Sequence, residues 1–475
     1  MSSRIYVCLP AVLVACASPP QDKASSSATP SDSATPDSGE PTAFETPAIW
    51  GLSALEDLDP ADDVVEVEMT AAFSEVDWVD RGPTEVWAYN DLVPGPLIQA
   101  KVGDTVRIRF TNALGSGTTI HWHGLRIPDE MDGVPAIQDP VEPGETFLYE
   151  FVVPDAGTFW YHPHVRSYAA VEHGLQGMLV VHDPADPVLA ERAFVVDDVL
   201  LNGADIAPST LDHMSQMHGR HGNTLLTNGQ TEQLSGAMQA GQPERWRIVN
   251  TANARTMWVR PTNARWRVVA VDGTVLPEPF ETTRGLLPVG QRLDLEVIPE
   301  EGATEVALQV ELPDGSGGWA EYPVFSAVVE GSPASAEWTD WAAAPLPTVE
   351  DAVQEAELVL DGAAGDTTIE WTINGEMYGE HTPLEFAANT PTIITIRERS
   401  RAEHPFHLHG QFFQVLDRNG DVDPEDAGLR DTVLVEGTDT LRLYTTFDNP
   451  GLWMAHCHIL EHAELGMMTE MIVHE

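Results

Sequence analysis

Five residues near the end of the chain carry the densest chemistry in it. His456, Cys457, His458, His462 and Met467 place three imidazoles, a thiol and a thioether within twelve residues. In an extended segment side chains alternate, so Cys457 points one way while His456 and His458 point the other. One tripeptide can therefore serve two metal centres. A thiolate with imidazoles and a weak axial methionine suits a blue-copper electron-transfer site. Cys8 and Cys16 lie at the N-terminus, which leaves Cys457 alone in the body of the chain and rules out a disulfide framework. A lone cysteine is ordinarily an inert buried group, but one set between two histidines reads as a ligand.

Ten of the seventeen histidines fall in four tight groups. These are His121 with His123, His162 with His164, His404 with His407 and His409, and His456 with His458 and His462. On a strand, a His-x-His pair projects both rings to one side about 7 Å apart, which suits two adjacent ions better than one. A single pair would read as packed or surface histidine. Four groups, two towards each end of the chain, instead require the terminal parts to meet with a metal cluster in the seam.

The elements that must position these groups repeat a theme. Val106, Ile108 and Phe110 alternate with Arg107 and Arg109 after a Gly-Asp turn, a period-2 strand pattern. Trp246 and Ile248 alternate with Arg245 and Arg247 in a second copy, and Ile394 and Ile396 mark a third. Copies about 140–150 residues apart predict an all-β chain of three consecutive Greek-key β-sandwich domains, at 47–186, 187–340 and 350–475. The sequence offers no long amphipathic helix, and short helices fit near 208–218 and 459–465. The middle domain lacks a complete ligand set, and its expected task is to hold the outer two in register.

Composition bounds the rest. A chain of 475 residues with 36 Pro and 37 Gly suits several β-rich domains. Its 75 acidic and 24 basic residues give a net charge of −51, which argues against nucleic acid and anionic lipid as partners. Residues 1–15 predict an export signal, with Arg4 ahead of a short apolar core. Leu13 to Cys16 resemble a lipobox in which Cys16 becomes acylated; a plain signal peptide is the alternative. The Ser/Thr/Pro-rich stretch 16–46 reads as a disordered tether. The expectation is an exported, periplasmic or cell-surface protein whose membrane contact is a lipid anchor at Cys16.

In order and spacing, the four histidine groups, with the PGP…GDTV segment and the RDTVLVEG stretch at 430–437, resemble the multicopper oxidase family. The resemblance covers most of residues 47–475 and implies three cupredoxin-like domains with four coppers per chain. Carried over residue by residue, it implies a type 1 copper on His404, Cys457, His462 and, axially, Met467. A type 2 copper would take His121 and His407. The type 3 pair would take His123, His162 and His458 on one ion and His164, His409 and His456 on the other. It further implies that electrons enter at Cys457, pass through His456 and His458, and reduce dioxygen to two waters. Asp132 matches an acidic position that serves proton delivery in bacterial relatives; a solvated loop carboxylate is the plainer alternative. Where a second acid is expected, directly after His462, stands Ala463, with Glu461 and Glu464 nearby. Asp431 reads as support for the type 1 region or a substrate contact.

The reductant is less constrained. His213, Met214, Met217, His218 and His221 gather soft ligands suited to Cu(I), or form a packed short helix. Ser400 and Ala402 stand where cuprous oxidases of the family carry Asp and Met. The expectation is therefore a laccase-like enzyme taking electrons from phenols or similar small reductants near His462, with O2 as acceptor. Oxidation of Cu(I), and a non-catalytic copper-binding or scaffold role, are the alternatives.

Overall fold

The computed structural model describes residues 46–79, 82–365 and 367–475. The expected export signal, Cys16 and the tether up to residue 45 lie outside the described residues. No helix among the described residues is long and apolar enough to cross a membrane.

The three alternating segments all form strands, at Thr105–Asn112, Glu244–Asn250 and Thr392–Glu398. Each pairs in parallel with a strand that precedes it in the chain and antiparallel with one that follows. The partners are Val64–Val76 and Thr146–Val152, Ala190–Val199 and Arg292–Pro299, and Gln354–Ala364 and Thr440–Thr445. A parallel pair cannot be closed by a hairpin, so the chain leaves the sheet and returns each time. The same pairing three times over is the structural form of the sequence repeat.

Each such sheet packs on a second one, giving three sandwiches with separate apolar cores. Val106, Ile108 and Phe110 are fully buried in the first core, each contributing roughly 1.5–3 kcal/mol of apolar burial. Trp122 points away from its flanking histidines into the same core, against Tyr149, Phe151 and Tyr161. In the third copy Ile394 and Ile396 are buried and Arg397 is exposed, as period-2 patterning requires.

The second copy departs from the pattern. Arg245 and Arg247 do not face water; the whole strand Glu244–Asn250 is buried. Its outer face is covered by the first domain and its approach. Arg247 pairs with Glu191 and Asp294 and donates to Thr158 Oγ1, and Arg245 pairs with Asp186 and Asp294. The edge strand Ile49–Trp50 also joins the middle sheet, in parallel with Ala190–Val199, ahead of all the first-domain strands. Three short α-helices complete the elements used below: α1 at Ser167–Glu172, α2 at His213–His218 and α3 at Leu460–Glu464.

Candidate metal centre

Two equivalent strand pairs carry the histidines. In the first domain His121–His123 pairs antiparallel with Gly157–His162, setting His121 opposite His162. In the third, His404–Leu408 pairs antiparallel with Gly451–Cys457, setting His407 opposite His456. The ring centroids within the His-x-His pairs are 5.9, 5.5, 4.9 and 5.5 Å apart, closer than 7 Å. Three of the four pairs straddle a strand end, at His162, Leu408 and Cys457, so the second ring is freed from the strand's spacing.

Eight imidazoles meet across the seam between the first and third domains. His121 stacks on His409 at 3.9 Å and His123 on His407 at 3.7 Å. His123, His162 and His458 bring one ligand nitrogen each within 4.8 Å of one another. So do His121, His123 and His407. His409 is shared between a group with His121 and His164 and a group with His407 and His456, so His164, His409 and His456 do not form a group of their own.

Hydrogen bonding fixes what these rings offer. A carbonyl can only accept, so a ring nitrogen bonded to one must carry the proton. Nδ1 of His121, His162, His407 and His456 donates to the carbonyls of Asp132, Pro163, Asp431 and Cys457 at 2.8–3.0 Å. His409 Nδ1 donates to Asp132 Oδ2 at 2.7 Å. The opposite Nε2 atoms then hold lone pairs. Those of His121, His162 and His407 are buried without a hydrogen-bond partner among the described residues. Those of His409 and His456 face each other at 3.0 Å. Two lone pairs at that distance repel unless a cation lies between them. Burial first, then the neighbouring rings, holds His123, His162, His164, His409 and His458 well below the usual imidazole range, and His456 down to about 3. A dry cage of neutral imidazoles with inward lone pairs fits copper ions.

A second set lies on the other side of Cys457. His404 Nδ1 is 3.4 Å and His462 Nδ1 3.8 Å from Cys457 Sγ, and the two nitrogens are 3.3 Å apart. All three residues are fully buried, as is Met467, whose carbonyl accepts from the Cys457 amide at 3.1 Å. Burial pushes the thiol well above its ordinary range, so the thiolate requires a cation beside it. His404 is held from behind: its Nε2 lies 3.0 Å from Ser400 Oγ and 3.2 Å from Glu398 Oε2, while Ser400 donates to Glu398 Oε1 at 2.6 Å. That carboxylate–histidine relay keeps Nδ1 free as a ligand.

Trp371, Glu403 and Gly290 were not legible in the sequence as contributors. Trp371 stacks on His462 at 4.0 Å and donates to the Gln216 carbonyl of α2 at 2.7 Å, so the middle domain roofs this site. A cavity of about 460 Å³ opens beside it, lined among others by His462, Met217, His218, His221 and Glu403. His213 and Met214, from the same soft-ligand run, are exposed and do not line that cavity. Asp431 belongs to the eight-histidine cluster, 3.2 Å from His123 Nε2 and 3.3 Å from His407 Nδ1, and not to the type 1 region or a substrate contact. The middle domain is likewise more than a spacer. Gly290, at φ +82°, approaches so closely that a Cβ there would lie 2.9 Å from His458 and 3.1 Å from His123. Asp132 touches His121 and His409 directly, while Glu461 is turned to Asn253 of the middle domain.

Comparison with known proteins agrees with this chemistry. Three multicopper oxidase family models match residues 73–186, 158–301 and 350–475. The multicopper oxidase MmcO of Mycobacterium tuberculosis is 30% identical over 429 residues, covering 81% of this chain and 82% of that protein. Among solved structures, a multicopper oxidase from Campylobacter jejuni, described as a metallo-oxidase, is similar with a TM-score of 0.79. It is 27% identical and covers 92% of this chain and 97% of its own. A bacterial laccase-like multicopper oxidase from Ochrobactrum sp., with activity towards lignin model compounds, has a TM-score of 0.78 at 26% identity. It covers 89% and 99% of the two chains.

Proposed function

From the premise that this chain belongs to the multicopper oxidase family and is a copper-dependent oxidoreductase, we propose that it couples four one-electron oxidations of a small, phenol-like reductant to the reduction of O2 to two waters. One observation carries this reading. Cys457, the only cysteine among the described residues, joins the His404–Cys457–His462 set to the eight-histidine cluster through its covalent neighbours His456 and His458. Bound copper would supply the one-electron storage and dioxygen chemistry that no side chain provides. We assign His404, Cys457, His462 and Met467 to one ion, and the eight clustered histidines to three more.

The chain's own residues do the remaining work. The first set holds a buried donor triad whose rings cannot turn, because Ser400, Glu398 and Trp371 pack them from behind. His462 lines the cavity, so a reductant lodged there meets the triad at one of its own rings. The eight-histidine cage excludes water from all but His164, which is only partly buried. Asp132 lies where a carboxyl can hand protons towards the cluster while orienting His121 and His409.

Cu(I) is the second reading of the reductant, favoured by Met217, His218 and His221 in the wall of the same cavity. Oxygen uptake by copper-loaded protein, measured with a phenol and with Cu(I), separates the two. Phenol turnover at least equal to that with Cu(I) is expected, and Cu(I) faster by orders of magnitude would reverse the choice. About four copper ions per chain are expected; one or two would sink the oxidase mechanism.

A further inference from the structure

Arg292 opens the middle-domain strand Arg292–Pro299 and is fully buried. Its Nη1 and Nη2 donate to the two carboxylate oxygens of Asp431 at 2.8 and 2.6 Å. Its Nε donates to the Thr158 carbonyl at 2.9 Å. Thr158 lies on the first-domain strand that ends at His162, and Asp431 adjoins the third-domain strand Thr432–Val435. One guanidinium from the middle domain thus ties together both halves of the histidine cluster. Asp431 in turn faces His123 Nε2 and His407 Nδ1 with its carboxylate, and its carbonyl accepts from His407 Nδ1. Asp272, also of the middle domain, accepts from the backbone amides of Asp431 and Thr432 at 3.3 and 3.0 Å and so fixes the peptide that bears that carbonyl.

Resting on the trinuclear reading above, we propose that Arg292 is a positioning residue that, through the Asp431 carboxylate, sets the tautomer of His123, while His407 is already fixed by the Asp431 carbonyl. An ionised carboxylate only accepts hydrogen bonds, so His123 Nε2, which faces it, carries the proton, as His407 Nδ1 does against the Asp431 carbonyl. The opposite atoms, His123 Nδ1 and His407 Nε2, are left buried and unpartnered among the described residues, as ligand lone pairs must be. Two parallel bonds from a planar guanidinium hold the carboxylate in one orientation, which a single ammonium contact does not. A buried carboxylate deprived of that partner is strongly destabilised and would turn towards another donor, releasing His123.

The test uses the full chain loaded with Cu(II), with Arg292→Gln, Arg292→Lys and Asp431→Asn beside the unsubstituted protein. Arg292→Gln and Asp431→Asn should weaken copper binding at the cluster about 10–100-fold. The type 2 EPR signal should fall with it, while the blue absorption of the Cys457 site persists. Arg292→Lys should recover part of the loss. A merely structural clamp would lower the melting temperature and remove the blue band in parallel with the other coppers, which would overturn the proposal. An unchanged copper complement would overturn it equally. If the unsubstituted chain itself lacks cluster copper, the trinuclear reading fails, and this inference fails with it.

Discussion

Asp132 and Glu398 hold comparable positions at opposite ends of the proposed electron path. Each is a buried carboxylate that takes the proton-bearing side of histidines whose other nitrogens form the donor sets. Their substitutions should nevertheless read out differently. Asp132 touches the cluster where oxygen would be reduced, so Asp132→Asn should slow reoxidation by O2 by about 10²-fold or more while leaving reduction by substrate nearly unchanged. Stopped-flow measurement of the two half-reactions checks this; equal slowing of both contradicts it. Glu398 lies behind His404, where an anionic acceptor favours the more highly charged state of a bound ion. Glu398→Gln should therefore raise the type 1 reduction potential, by about 60 mV for a tenfold change in the one-electron equilibrium. A redox titration of the blue absorption measures it, and an unmoved potential would show that the relay is only a packing contact. The clustered histidines and Cys457 were legible because His-x-His and His-Cys-His place donors by local geometry alone. Glu398 and Asp431 were not, since their partners are reached through space. Asp431 is 308 residues from His123 in sequence, and no spacing rule spans that.

At the scale of elements, legibility follows whether an element's faces meet water or another domain. The strand Thr105–Asn112 has one wet face and follows its pattern; Glu244–Asn250 has both faces covered and does not. The short helices near 213 and 460 were anticipated, whereas α1, no shorter than either, was missed. That helix bears Glu172, which accepts from the Leu200 amide and pairs with Arg220 at 2.8 Å. Burial, opposed by Arg220, raises the Glu172 carboxyl to about 8. The folded chain then keeps a proton that the unfolded chain releases near pH 4.3. Below that pH the group is neutral in both states and contributes no difference. Between about pH 4.5 and 8 its contribution falls with rising pH, by at most roughly 1.4 kcal/mol per unit, and it levels off above that. Glu172→Gln should flatten this dependence, stabilising the protein at pH 8 relative to pH 5. Thermal midpoints at the two pH values test it, and parallel profiles for variant and parent would contradict it.

At the scale of the molecule, the three sandwiches are unequal partners. The outer two supply every assigned copper ligand, and the middle one packs against both sets. Arg292, Asp272 and Gly290 approach the eight-histidine cluster, and α2 roofs the His462 side through Trp371. The threefold repeat was readable because each copy carries the same strand alternation. The convergence of all three on one cluster was not, because it depends on interfaces that no single segment encodes. Cys457 is the residue on which the whole arrangement turns, since it alone links the two donor sets covalently. The most direct measurement is therefore oxygen uptake and visible absorption of copper-loaded Cys457→Ser beside the parent chain. Loss of the blue absorption and of turnover together, with cluster copper still bound, is the expected result; turnover retained without Cys457 would contradict the mechanism.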